Sequence, residues 1–154
     1  MHKVKMALAT GFGLGLYAPF APGTFGSLPG VALVFAVSLL PVFLQIPAAL
    51  LLAAAAIPVC TEAEERFGIK DDGRIVADEW MLLPISFIGL PVREMPLAAL
   101  LAMFVVVRAV DILKPWPCNR LQLLRGGLGI VADDFFANVY SLGLNWILWI
   151  TLST

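Results

Sequence analysis

The stretch from Arg108 to Asp134 holds residues whose types and spacing could do chemistry. Arg108 and Asp111 stand three apart and so share a helix face. Lys114-Pro115-Trp116-Pro117 follows, then Gly126-Gly127-Leu128-Gly129-Ile130 and the pair Asp133-Asp134. Two upstream stretches complete the set: Ala21-Pro22-Gly23-Thr24-Phe25-Gly26-Ser27, and Asp71-Asp72-Gly73-Arg74 running on to Asp78-Glu79. Carboxylates without a histidine cluster suit a hard cation such as Mg²⁺, which takes a few acids plus waters and a substrate phosphate. Lysine and arginine would balance phosphate charge. Residues 21–27 read first as an ordinary turn and helix start; alternatively, their backbone N–H groups and the Thr24 and Ser27 hydroxyls would face phosphate oxygens. The one histidine, His2, lies at the N-terminus, so the expected nucleophile is a metal-activated water. A cysteine-phosphatase loop and an Asp-x-Asp aspartyl-phosphate motif are both absent.

Acids at a helix start also favour the helix dipole, by about 0.3 to 1 kcal/mol each, which would account for Asp78-Glu79 and Asp133-Asp134 as structure alone. Asp111 resists that account, because it stands at a helix end, where an acid opposes the dipole. An unpartnered charge in hydrocarbon costs roughly 3 kcal/mol or more, so this density of charge in so apolar a chain calls for a site.

The elements that must position these groups are apolar. The chain is 60% hydrophobic and 14% charged, with mean hydropathy +0.93, against about 25% charged for a soluble domain. It therefore reads as one integral membrane domain over residues 1–154. A net charge of -1 leaves no basic face for nucleic acid. Cys60 and Cys118 lack metal or disulfide spacing and read as small buried hydrophobes. Residues 6–19 are too short to cross a membrane and are expected in the interface or wedged into the bundle. The run from Leu28 to Leu44, a polar break at Gln45 to Pro47 and a return from Ala48 to Cys60 read as a hairpin. Trp80–Leu90 and Leu97–Val107 read as a second, shorter one. Cys118–Arg125 reads as a surface helix, a glycine loop follows, and Ile130–Leu152 forms the last helix with Trp146 and Trp149 at its far interface. The fold expected is all-α, a polytopic membrane bundle of about six helices. Hairpin pairing places every motif at one end, beside Arg66, Lys70, Arg74, Arg120 and Arg125, and the positive-inside rule makes that end cytoplasmic.

Ala21-Pro22-Gly23-Thr24, Asp71 with Gly73, Ile75-Val76 and Asp78-Glu79, Arg108 with Asp111 and Lys114-Pro115-Trp116-Pro117, and Gly126-Gly127 through Asp133-Asp134 together closely resemble the phosphatidylglycerophosphatase A family, in its order and over nearly the whole chain. The resemblance implies a Mg²⁺-dependent phosphatase of the bacterial inner membrane that converts phosphatidylglycerophosphate to phosphatidylglycerol, and an all-α fold with a central helix surrounded by others. On that footing Asp78, Glu79, Asp111, Asp133 and Asp134 form the Mg²⁺ shell. Arg108, Lys114, Thr24 and Ser27 take the phosphate, and Asp71 orients a ligand or acts as base, so that Asp71, Asp111, Lys114 and Asp134 carry the catalysis. Asn138 departs from the pattern, where a small residue such as glycine is expected. The competing readings are a small transporter or channel with an acidic ion site, and a lipid-binding scaffold without catalysis. Oligomeric state is left open.

Overall fold

The computed structural model describes residues 2–18 and 20–153. Every element among them is helical: α1 (His2–Ala9), α2 (Leu14–Tyr17), α3 (Pro22–Gly26), α4 (Leu28–Ser38), α5 (Val42–Phe67), α6 (Ala77–Leu82) with a 3₁₀ segment (Leu83–Phe87), α7 (Leu97–Leu113), α8 (Cys118–Leu121) and α9 (Gly127–Ser153). Among the described residues, only α5 and α9, at 26 and 27 residues, are long and apolar enough to cross a membrane; each spans roughly 39 to 40 Å at 1.5 Å per residue. Buried residues make up only 28% and 22% of their apolar windows, so neither helix is enclosed by the rest of the bundle. The expectation of about six membrane-bundle helices is not reproduced. Two long helices carry a set of shorter ones.

The centre of the bundle is α6 with its 3₁₀ extension. From Leu82 to Phe87 every residue is buried, and the segment lies among α4, α5 and α9. Its close approach to α5 follows from a stripe of small residues: Ala49, Ala53, Ala56, Cys60 and Ala63 recur on one face of α5 and are all buried. Small side chains let helix backbones approach closely. Trp80–Leu90, read as one arm of the second, shorter hairpin, is therefore an interior strut, buried from Trp80 to Phe87. Pro84, without an N–H, breaks the α-helical pattern there, and the strut ends at Gly89, whose φ is +76° and whose N–H donates to Gln45 Oε1.

That bond corrects the first hairpin too. Gln45 and Pro47 lie inside α5, and the bend falls at 39–41, where α4 has ended and Pro41 precedes the first turn of α5. Gln45 is buried, donating to Leu40 O and accepting from Gly89; a polar residue read as a loop marker is a tertiary clamp. The glycines before the last helix are likewise mostly inside it. A Cβ at Gly127 would run into Ile57 O and the Thr61 backbone of α5, and one at Gly129 into Leu124 O. The start of α9 is thus sealed onto the end of α5, where Gly127 N–H donates to Thr61 Oγ1. Asp133 and Asp134 consequently sit in the second turn, facing inward. The N-terminal stretch is wedged against the bundle as expected: α1 packs on α5, Lys5 pairs with Glu62, and Trp80 Nε1 donates to Leu8 O. The surface helix at 118–125 is shorter than expected, with α8 covering Cys118–Leu121.

Candidate active site

Five pieces of chain meet at one end of the bundle. They are α3 with the start of α4, the 71–76 loop with the start of α6, the end of α7, α8, and the second turn of α9. Each arrives for a local reason. Asp72 accepts from the Arg74 N–H at 3.0 Å and from its guanidinium at 2.8 and 2.6 Å, closing the loop that delivers Val76 to a hydrogen bond with Ala9 O and Asp78 to the bundle interior. Arg74 also stacks on Phe67 at the end of α5. Its guanidinium holds the Asp72 carboxyl below the usual range. Pro115 and Pro117 stop α7, and Lys114 closes it with φ +42°. A lysine in that left-handed region costs of order 1 kcal/mol or more, and the conformation carries its ammonium to Asp133, to Asp71 at 3.9 Å and to Gln122 Oε1 at 3.3 Å.

Arg108 is the hub of the other half. Its guanidinium pairs with Glu79 Oε2 at 2.9 Å and Asp111 Oδ2 at 3.1 Å, and donates to Ser27 Oγ at 3.2 Å. The single Ser27 hydroxyl proton lies between two acceptors, Gly23 O at 2.7 Å and Glu79 Oε2 at 3.0 Å, and only 1% of the residue's surface is exposed. Ser27 therefore braces Glu79 and Arg108 from behind, while Thr24, one residue after Gly23, is half-buried. A Cβ at Gly23 would occupy the space of the Glu79 carboxylate and lie 2.7 Å from Arg108 Nη2, so any other residue there pushes both side-chain ends aside.

The carboxylates divide into two kinds. Glu79, Asp111 and Asp133 each hold a cation from the protein. Asp78 and Asp134 do not. Asp78 Oδ1 is fully buried without a partner, and Asp134, 5% exposed, makes no side-chain hydrogen bond or ion pair among the described residues. Burial, reinforced by Glu79, Asp71, Asp111 and Asp133, pushes the Asp78 carboxyl well above the usual range. Asp134 lies within electrostatic reach of Asp111, Asp78, Asp133 and Glu79. Burial also raises Glu79, against the pull of Arg108, to about 7. For Lys114, burial works against the charge, but Asp133 and the other acids outweigh it and hold the ammonium above its ordinary value.

An excess of buried, uncompensated carboxylate is the environment a hard cation fits. No group of three or more Asp, Glu, His or Cys side chains is assembled as a finished metal cage among the described residues. Mg²⁺ does not require one, because it retains waters and takes substrate phosphate oxygens beside one or two carboxylates. Asp78 and Asp134 thus fit as its protein ligands. Arg108 Nε is likewise buried and has no acceptor among the described residues.

Every residue singled out from sequence reaches this end: Thr24, Ser27, Asp71, Asp78, Glu79, Arg108, Asp111, Lys114, Asp133 and Asp134. Sequence reasoning assigned no role to Asp72 or to Gln122, which steadies Lys114. It also missed the ladder beneath the site, in which Asn138 Nδ2 donates to Asp134 O, Ser86 Oγ to Asn138 Oδ1, and Asn145 Nδ2 to Ser86 O. The departure at Asn138 is thereby explained, since its side chain ties the central strut to the turn of α9 that carries Asp134. The spacing of Asn138, Ser141 and Asn145 at one helix face was the available signal.

A family profile described as phosphatidylglycerophosphatase A matches residues 7–149. Phosphatidylglycerophosphatase A of Escherichia coli K12 is 36% identical over 138 residues, covering 89% of this chain and 78% of that protein. The protein of the same name from Haemophilus influenzae is 37% identical over 137 residues, covering 88% and 82%. A Bacteroides thetaiotaomicron protein provisionally named phosphatidylinositol-3-phosphatase is 35% identical over 146 residues, covering 90% and 89%. No solved structure matches the chain at a significant level.

Proposed function

Because the chain belongs to the phosphatidylglycerophosphatase A family of phosphatases, we propose that it hydrolyses phosphatidylglycerophosphate to phosphatidylglycerol and inorganic phosphate, with Mg²⁺, at the cytoplasmic face of the bacterial inner membrane. The observation that carries this reading is the pairing of two unneutralised buried carboxylates, Asp78 and Asp134, with an arginine whose Nε lacks an acceptor. One arrangement thus offers places for both a cation and a phosphate. The two apolar helices and the broad exposed apolar surface, including Phe43, Leu51, Leu101 and Ile147, support insertion in a bilayer.

Asp78 and Asp134 would hold Mg²⁺, with Asp111, Glu79 and Asp133 around them. When bound, the ion would neutralise phosphate charge and acidify a water at neutral pH. Arg108, fixed by Glu79 and Asp111, directs its free Nε–H at a phosphate oxygen, and the Thr24 hydroxyl takes another. Lys114, locked by Asp133, adds a fixed positive charge where negative charge grows in the transition state. Asp71, with a side chain 43% exposed at the mouth and next to Lys114, accepts the proton of the attacking water. The water oxygen forms the new P–O bond as the bond from phosphorus to the glycerol oxygen breaks, and that oxygen takes up the proton that Asp71 received and departs with its lipid as an alcohol.

The test is a substrate panel in detergent micelles: phosphatidylglycerophosphate, phosphatidic acid and phosphatidylinositol 3-phosphate, each with Mg²⁺. Preferred phosphate release from the first supports the reading. Preferred release from the inositol lipid reassigns the substrate, and release from none overturns the proposal.

A further inference from the structure

The site has an apolar annex that its phosphate chemistry does not use. A cleft of about 220 Å³ runs between α4 and α7, two helices that pack on the central strut and on α9 respectively and hardly on each other. Its floor is Leu83 and Phe87 of the 3₁₀ segment, both buried, and its walls include Val31 and Phe35 on α4 and Leu101 and Phe104 on α7. Every lining residue is apolar. The outer rim is open, with Val31, Phe35 and Leu101 at 37%, 40% and 56% exposure.

Its position says what it holds. Leu28, at the top of the α4 wall, directly follows Ser27, and Phe104 lies one turn before Arg108 on α7. At 1.5 Å per residue the α7 wall runs from about 6 Å to about 16 Å below Arg108, along the helix axis. A lipid whose phosphate meets Arg108 and Thr24 therefore has a sheltered apolar track beginning where its glycerol would end. The geometry points to a lateral cleft between α4 and α7 that holds a fatty-acyl chain of the lipid substrate and admits it sideways from the membrane. This rests on the lipid-phosphatase reading of the site above. The groove on the other flank of α7, by Leu113, Gly143 and Ile147, is the weaker candidate, because α7 and α9 pack directly behind it and it leads to Pro115 and not to Ser27 and Arg108.

Lipid tails are as apolar as leucine, so within a bilayer the cleft orients the chain more than it attracts it. Affinity appears when the chain comes from water, at about fourfold per buried methylene. The experiment uses purified full-length protein in detergent and two probes. The first is a series of monomeric short-chain phosphatidylglycerophosphates together with the deacylated headgroup. The second is phosphatidylglycerophosphate carrying a diazirine in mid-chain, mapped by mass spectrometry after photolysis. Expected are crosslinks on Val31, Phe35, Leu101 and Phe104, and a kcat/KM that rises about fourfold per methylene until the track is filled. Leu101→Trp should move the crosslinks and cut the rise below twofold per methylene, whereas Leu51→Trp, on the exposed face of α5, should change neither. Crosslinks scattered over the apolar surface, or gathered at Gly143 and Ile147, with an unchanged chain-length slope in Leu101→Trp, would overturn the cleft. Phosphate release from the deacylated headgroup separates the two claims: its presence with scattered crosslinks sinks the cleft alone. Crosslinks in the cleft with no release from any substrate sink the phosphatase reading and leave a lipid-binding cleft.

Discussion

Gly23→Ala should disable the enzyme through one methyl group. The new Cβ would stand 2.7 Å from Arg108 Nη2 and nearer still to both Glu79 carboxylate oxygens. Comfortable contact begins near 3.5 Å, so the guanidinium must retreat by about 0.8 Å and the carboxylate by more. A misplacement of about 1 Å in a positioned catalytic group costs roughly 100-fold in rate, which sets the expected fall in kcat/KM for phosphatidylglycerophosphate. Losing one charge-assisted hydrogen bond in the Glu79–Arg108–Ser27 set adds about 1.5 to 3 kcal/mol of destabilisation. Phosphate release and thermal unfolding in the same detergent measure both. Gly143→Ala is the control, because a Cβ at Gly143 meets nothing within 4 Å; alanine in mid-helix should stabilise by about 0.5 to 1 kcal/mol and spare activity. If Gly23→Ala retained activity within threefold of the unaltered protein, Glu79 and Arg108 would not be the tightly placed groups described here.

Asp111→Asn should lower kcat by 100-fold or more while the bundle stays folded, since it frees Arg108 from one of its two anchors and removes a carboxylate from the site; circular dichroism beside phosphate release decides it. Asp78→Asn should abolish activity yet leave the metal-free protein no less stable, because burial already disfavours the charged form of a carboxyl whose Oδ1 has no partner among the described residues; a large loss of Tm without Mg²⁺ would argue against that reading. Asp72→Asn should cost little stability, as Arg74 is 43% exposed and solvent screens the pair. Because the Asp72 carboxyl is held low by Arg74, its stabilising effect is full above its unfolded value and disappears as pH falls through its folded one. The gap in Tm between the unaltered protein and Asp72→Asn should therefore close at low pH.

The site was more legible than the scaffold, for a physical reason. Charges in an apolar chain are costly, so Asp111 against its helix dipole and the clustered acids stand out on their own, and hairpin logic was enough to bring them to one end. Periodicity could not distinguish an apolar segment buried in protein from one facing lipid, since Trp80–Leu90 is equally apolar either way. Nor could it see that the proline and glutamine at 45–47 continue a helix. Pro47 is tolerated within α5, and Gln45 was turned from loop marker to clamp by Gly89, 44 residues away. Gly127 and Gly129 read as a loop because local sequence does not report that the α5 backbone occupies the place of a Cβ at Gly127, and the preceding connection at Leu124 that of one at Gly129.

Phosphate release from phosphatidylglycerophosphate should be followed across a Mg²⁺ titration, from chelated protein upward, for the unaltered chain and Asp134→Asn side by side. Release that vanishes on chelation, returns with Mg²⁺ and stays absent in Asp134→Asn at every concentration is the expected result. Full release under excess chelator, or an Asp134→Asn variant that matches the unaltered protein, would contradict a cation held between Asp78 and Asp134 as the source of the chemistry.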